Sequence, residues 1–88
     1  TAVFFANDIC AAGFIEIIIQ HGIRVPDDLS IICFDDSTAA VGGLINLTSV
    51  SRDPNSMGVA AAELMLARLQ NTNTQPHKLV FPPVLNER

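Results

Sequence analysis

The chain has 88 residues, 49% of them hydrophobic and only 16% charged, with a mean hydropathy of +0.37. That balance excludes a disordered tail, which requires low hydrophobicity and high net charge. Five basic against nine acidic side chains leave a net charge of −4, so the chain itself carries no cationic surplus for binding nucleic acid. No apolar run approaches the roughly 18 residues of a membrane span. A domain this small, with fewer charges than the roughly 25% of an average globular chain, should hide apolar surface against a second copy or belong to a larger domain.

Ala2 to Ala6 is a short apolar run without alternation, the pattern of a strand buried on both faces of a parallel sheet. Asn7-Asp8 stops it, and Asp8 is expected to cap a helix over Ile9 to His21 that closes at Gly22. Pro26 marks a turn over Ile23 to Asp28, and Leu29 to Phe34 forms a second buried strand ended by Asp35-Asp36-Ser37. A glycine-containing loop is expected over Thr38 to Asn46, then a strand at Thr48 to Ser51. Asp53-Pro54 starts an amphipathic helix over Pro54 to Leu69. After a polar break over Asn71 to Pro76, Lys78 to Phe81 and Val84 to Asn86 are expected as short strands around Pro82-Pro83. The order predicts an α/β fold with a parallel sheet.

The first helix is apolar over more than the roughly 100° that one sheet face requires. Ile9, Phe14, Ile15, Ile17, Ile18 and Ile19 spread around its axis, which points to a subunit interface. Cys10 and Cys33 lie in apolar segments without metal-ligand spacing and are expected as reduced, buried thiols. His21 and His77 are isolated, and Ser37 has no histidine that the pattern can supply, so no nucleophile is supported. Asp35 and Asp36 could form an acid/base or metal pair, but Lys78 is the only lysine and lies in a terminal segment; no catalysis, metal or cofactor is expected.

Three stretches together resemble one family. Ala6-Asn7-Asp8 at a strand end, Gly22-Ile23-Arg24-Val25-Pro26-Asp27-Asp28-Leu29-Ser30 before the next strand and Phe34-Asp35-Asp36 after it, with Leu47-Thr48-Ser49-Val50 and Pro82-Pro83, are similar to the C-terminal part of a LacI/GalR-family transcriptional repressor. The resemblance covers nearly the whole chain. It implies a three-layer, parallel-sheet fragment of a periplasmic-binding-protein-like (type I) effector domain, with residues 1–50 in the C-terminal lobe. Residues 51–83 would hold the lobe crossings and a helix of the N-terminal lobe, and 84–88 the returning strand.

Ligands in open α/β sheets bind beyond the carboxyl ends of the strands, where Asn7, Asp8, Asp35 and Asp36 fall. Spacing alone favours capping roles for all four. The resemblance instead assigns Asn7 and Asp35 to a sugar or related small-molecule effector, with Asp36 and Arg52 as further ligand candidates. Arg52 stands where the family often has glutamine, and could reach the cleft or pair with Asp53. Cys33 stands where the family usually has glycine, which suggests a bulkier strand end near the ligand. The resemblance also implies a cytoplasmic homodimer or higher oligomer, with Ile9, Ala12, Phe14, Ile15, Ile18 and Ile19 at its interface, and operator DNA bound only through a headpiece that this chain lacks. A sugar-binding protein of an uptake system is the alternative with the same fold.

Overall fold

The computed structural model describes residues 1–71 and 75–88 of the chain. Part of the polar break expected over Asn71 to Pro76 thus lies outside the described residues. The elements run β1 (Ala2–Phe4), α1 (Asp8–Gln20), β2 (Ser30–Asp35), α2 (Thr38–Val41), β3 (Thr48–Ser51), α3 (Pro54–Gln70) and β4 (Val84–Asn86). They fall into two compact units, residues 1–52 with 83–88, and residues 53–82.

In the first unit the sheet order is β1-β2-β3-β4. The parallel sheet expected from the sequence is present over β1, β2 and β3, with Phe4 opposite Ile32 and Ile32 opposite Thr48. The last strand, β4, runs antiparallel to β3, pairing Ser51 with Val84 and Ser49 with Asn86. Alternation then sorts the side chains. Ile31, Cys33 and Ser49 turn toward α1 and are buried, whereas Ile32, Phe34 and Val50 face the other way and are half-buried.

The core is small: Ala11, Ile15 and Ile18 of α1, Ile31 and Cys33 of β2, Ala40 of α2, and Leu47. Ala11, Ile15 and Ile18 are spaced i, i+4 and i+7, one stripe of a helix laid on a sheet. This corrects two residues of the expected interface. Ile15 and Ile18 are only 3% and 7% exposed because they pack inside their own chain. Ile9, at 75%, and Ile17 stand out in solvent, while Phe14 stacks on Phe5 with ring centroids 5.1 Å apart. Ala12 is half-buried, and Ile19 is marginally exposed.

Both ends of α1 are closed locally. Asn7, not Asp8, is the N-cap: its side-chain oxygen accepts from the Cys10 N–H at 2.9 Å. At the other end Gly22, as expected, takes a positive φ of 78°, which lets Gly22 N–H reach Ile19 O and Ile23 N–H reach Ile18 O. The turn that follows is closed by Arg24, whose Nε and Nη2 each donate to Asp28 at 2.9 Å.

The expected loop over Thr38 to Asn46 begins with the short helix α2. Gly42 and Gly43, which mark this segment as a loop, only end the helix; its start comes from Ser37, whose hydroxyl accepts from the Ala39 N–H. Cys33 is buried as expected, but Cys10 is exposed because it lies on the outer side of the first turn of α1.

The second unit holds α3, capped by Asp53, which accepts from the Ser56 N–H at 2.9 Å and from its hydroxyl. No residue of α3 is fully buried. Lys78 to Phe81, expected as a strand, carries no ladder, since no strand among the described residues pairs with it.

Candidate functional site

Three parallel strands deliver their carboxyl ends to one edge of the first unit. The β1–β2 ladder ends at Phe4 opposite Ile32, with Asn7 three residues further on, and Asp35 is paired with Ser51, one residue before Arg52. The structure therefore groups Asn7, Asp35 and Arg52 on neighbouring strand ends.

Arg52 pairs with Asp35, not with Asp53. Its Nε and Nη2 both reach Asp35 Oδ1, at 3.0 and 2.8 Å, and its guanidinium carbon lies 5.9 Å from the centre of the Phe34 ring. Asp35 Oδ2 and Arg52 Nη1 have no partner among the described residues. The pair is partly solvated, with side-chain exposures of 31% and 45%, so it contributes at most about 1 kcal/mol and can share its groups with a ligand. An open carboxylate oxygen, an open guanidinium N–H and an aromatic ring are the parts a polyhydroxylated ligand requires: an acceptor, a donor and an apolar face. Asn7 adds its Nδ2 as a donor, because only its oxygen is committed to the helix cap.

Asp36, expected beside the ligand, is fully engaged elsewhere. Its carboxylate takes Arg88 Nη1 and Asn86 Nδ2, each at 2.6 Å, and its own N–H donates to Ser49 Oγ at 3.0 Å. The hydrogen bond from Arg88 holds its carboxyl below the usual range. Arg88 is itself fixed, donating from Nη1 to Leu47 O and from its N–H to Thr48 Oγ1.

The backbone explains why so many groups converge there. Asp35 and Asp36 both have positive φ, 108° and 51°. For residues other than glycine such conformations cost on the order of 1–3 kcal/mol each and persist only when their surroundings enforce them.

Asp8 supplies part of that enforcement. Buried below the turn, it accepts from the Ser37 N–H and, at 3.0 Å, from the Ser49 hydroxyl. Burial pushes its carboxyl up, but hydrogen bonds from Cys33, Ser37 and Ser49 outweigh that and hold it below the usual value. Cys33 also points into this core, with Sγ 3.5 Å from Thr48 O, so its bulk does not narrow the open strand end. Burial, then the Asp8 carboxylate, pushes its thiol up to about 11. Sequence reasoning missed the Asp8–Ser49–Ser37 connection and the Arg88 clamp. Neither has a local signal, since the partners lie 29 to 52 residues apart.

The sequence pattern of the periplasmic binding protein-like domain family matches residues 1–88. The chain belongs to this family. Within it, the chain is similar to LacI-type regulators. It is 40% identical over 70 residues to the arabinose metabolism transcriptional repressor of Geobacillus stearothermophilus, covering 80% of the chain and 19% of that protein. It is 34% identical over 80 residues to the HTH-type transcriptional regulator CelR of Thermobifida fusca, covering 91% and 24%. Among solved structures, a transcriptional regulator CelR–cellobiose complex superposes with a TM-score of 0.91 at 33% identity, over 99% of the chain and 27% of that one. A LacI family regulator from Lactobacillus casei with bound sucrose superposes at 0.84 and 31% identity, over 99% and 32%. The chain thus spans about a quarter of the length of the curated relatives it matches. These relatives carry the names of transcriptional regulators, not of enzymes.

Proposed function

We propose that the chain is the effector-binding and dimerisation part of a LacI-type, DNA-binding transcriptional regulator, and that its effector is a sugar or a related small molecule. The observation that carries this reading is the Asp35–Arg52 pair, which leaves one acceptor and one donor open beside Phe34 at the strand carboxyl ends. Solved structures of relatives in complex with cellobiose and with bound sucrose support the ligand class. Asp35, Arg52 and Asn7 contact the effector; Asp36 shapes the turn beneath it. Residues 1–50 and 84–88 form part of one lobe, and residues 51–83 hold the lobe crossings and a helix of the other, a division that the two compact units support.

Operator DNA is bound by a headpiece elsewhere in the full-length protein, which acts in the cytoplasm and catalyses no reaction. Effector binding shifts the population between DNA-competent and DNA-incompetent states. Ile9, Ala12 and Ile19 on one flank of α1, with Phe14 on the other, contact a second copy in a homodimer or higher oligomer.

Calorimetric titration of the full-length protein with cellobiose, sucrose and glucose tests the site. A binding sugar should lose at least about tenfold in affinity in Asp35→Ala, since the open carboxylate is a charged hydrogen-bond acceptor. Undiminished binding in Asp35→Ala would remove this residue from the site.

A further inference from the structure

We propose that Arg88 is a positioning residue for the effector site: with Asn86 it clamps the Asp36 carboxylate, and so holds the turn that presents Asp35. This rests on the reading that Asp35 contacts the effector.

The two carboxylates of this turn have opposite characters. Asp35 is partly solvated, held through one oxygen and open at the other. Asp36 is only 13% exposed and uses both oxygens, one for Arg88 and one for Asn86, each in a short hydrogen bond to the ionised carboxylate. The first is free to exchange partners, while the second is closed.

Two consecutive non-glycine residues at positive φ do not hold that shape by themselves. The restraints on the turn are the ladder pairing of Asp35 with Ser51, the Asp35–Arg52 ion pair, the Asp36 N–H on Ser49, the Ser37 N–H on Asp8, and the clamp on the Asp36 side chain. The clamp is rigid because Arg88 is also tied to Thr48 and Leu47. Residue 88 therefore acts on residue 35 through residue 36, without touching the effector. With the clamp gone, the turn relaxes toward ordinary backbone angles and Asp35 swings out of line with Arg52.

The test uses the full-length protein as wild type, Arg88→Met, Arg88→Lys, Asn86→Ala and Asp35→Ala. Titration with cellobiose, sucrose and glucose is combined with residue-resolved amide hydrogen exchange. Arg88→Met should lose about tenfold in affinity for the sugar that binds, while the Asp36 and Ser37 amides exchange faster and the rest of the protein is unchanged. Arg88→Lys should recover much of both. Unchanged exchange at these two amides overturns the clamp, and so does unchanged affinity in Arg88→Met when Asp35→Ala has lost it. Unchanged affinity in Asp35→Ala refutes instead the reading of Asp35 as a contact. If none of the three sugars binds the wild type, cellobiose, sucrose and glucose are removed as effectors, and exchange at Asp36 and Ser37 decides the clamp. Should Arg88→Met not fold, Asn86→Ala removes one of the two grips and is judged by the same two measurements.

Discussion

Replacing Asp8 by asparagine keeps the shape of the side chain and removes one acceptor. In the wild type the buried carboxylate accepts from the Ser37 N–H and the Ser49 hydroxyl, with the Cys33 thiol beside them. The oxygen of the substituted amide keeps the Ser37 N–H, and the amide NH2 meets the Ser49 hydroxyl, which must turn its proton away from its acceptor to receive it. One unsatisfied buried group costs about 1–3 kcal/mol, so the change should destabilise by about that much, against the 5–15 kcal/mol typical of a domain. The acid limb should change too. Because the folded carboxyl lies below its ordinary value, its stabilisation is present above about pH 3.9 and is lost as pH falls through the folded value. Asp8→Asn has no such dependence. Urea denaturation of the full-length protein, followed by circular dichroism at pH 7 and at a series of acidic pH values, reads both effects. Equal midpoints for the two proteins at pH 7 would show that the buried carboxylate does not hold the turn.

Ile9→Glu and Ile18→Glu should part company. The first adds a charge to an exposed position and should leave the fold intact while halving the mass seen by light scattering; an unchanged mass would refute the proposed contact. The second buries an unpaired carboxylate in the core, at a cost of several kcal/mol, and should abolish folding; a normal melting curve would refute the placement of Ile18. In the native protein a thiol reagent, mapped by mass spectrometry, should modify Cys10 and spare Cys33 until unfolding. Since the folded Cys33 thiol is raised to about 11, its contribution to stability is intact below about pH 8.5 and declines as pH rises toward 11. Rapid labelling of Cys33 at neutral pH would contradict its burial.

Local chemistry is the legible part of this molecule. Gly22 at the end of α1, Asp53 and Pro54 at the start of α3 and the apolar strands each announce themselves within a few residues. The helix cap falls at Asn7, one position before the residue the sequence favours, because both Asn and Asp suit a cap and only the burial of Asp8 separates them. Ile15 and Ile18 look like interface because apolar periodicity does not say which part of a wide stripe meets the sheet. At the site, the residue types at the strand ends are visible in the sequence, but their partners are not. The Arg52–Asp35 pair and the closure of Asp36 by Arg88 follow from strand register, which brings together residues 17 and 52 positions apart.

The antiparallel pairing of β3 with β4 sets Ser51 opposite Val84. In the first unit the chain thus departs and comes back on two bonded strands, and what lies between is an excursion of roughly thirty residues from the tip of a hairpin. Closing so long a span in place of a two-residue turn costs about four doublings of loop length, on the order of 2.4 kcal/mol. Arg88 to Thr48 and Leu47, and Ser51 Oγ to Val84 O, stitch the far arm back and offset that cost. The register of the strands that present Asp35 is therefore set within the first unit, by the β2–β3 and β3–β4 ladders and these ties.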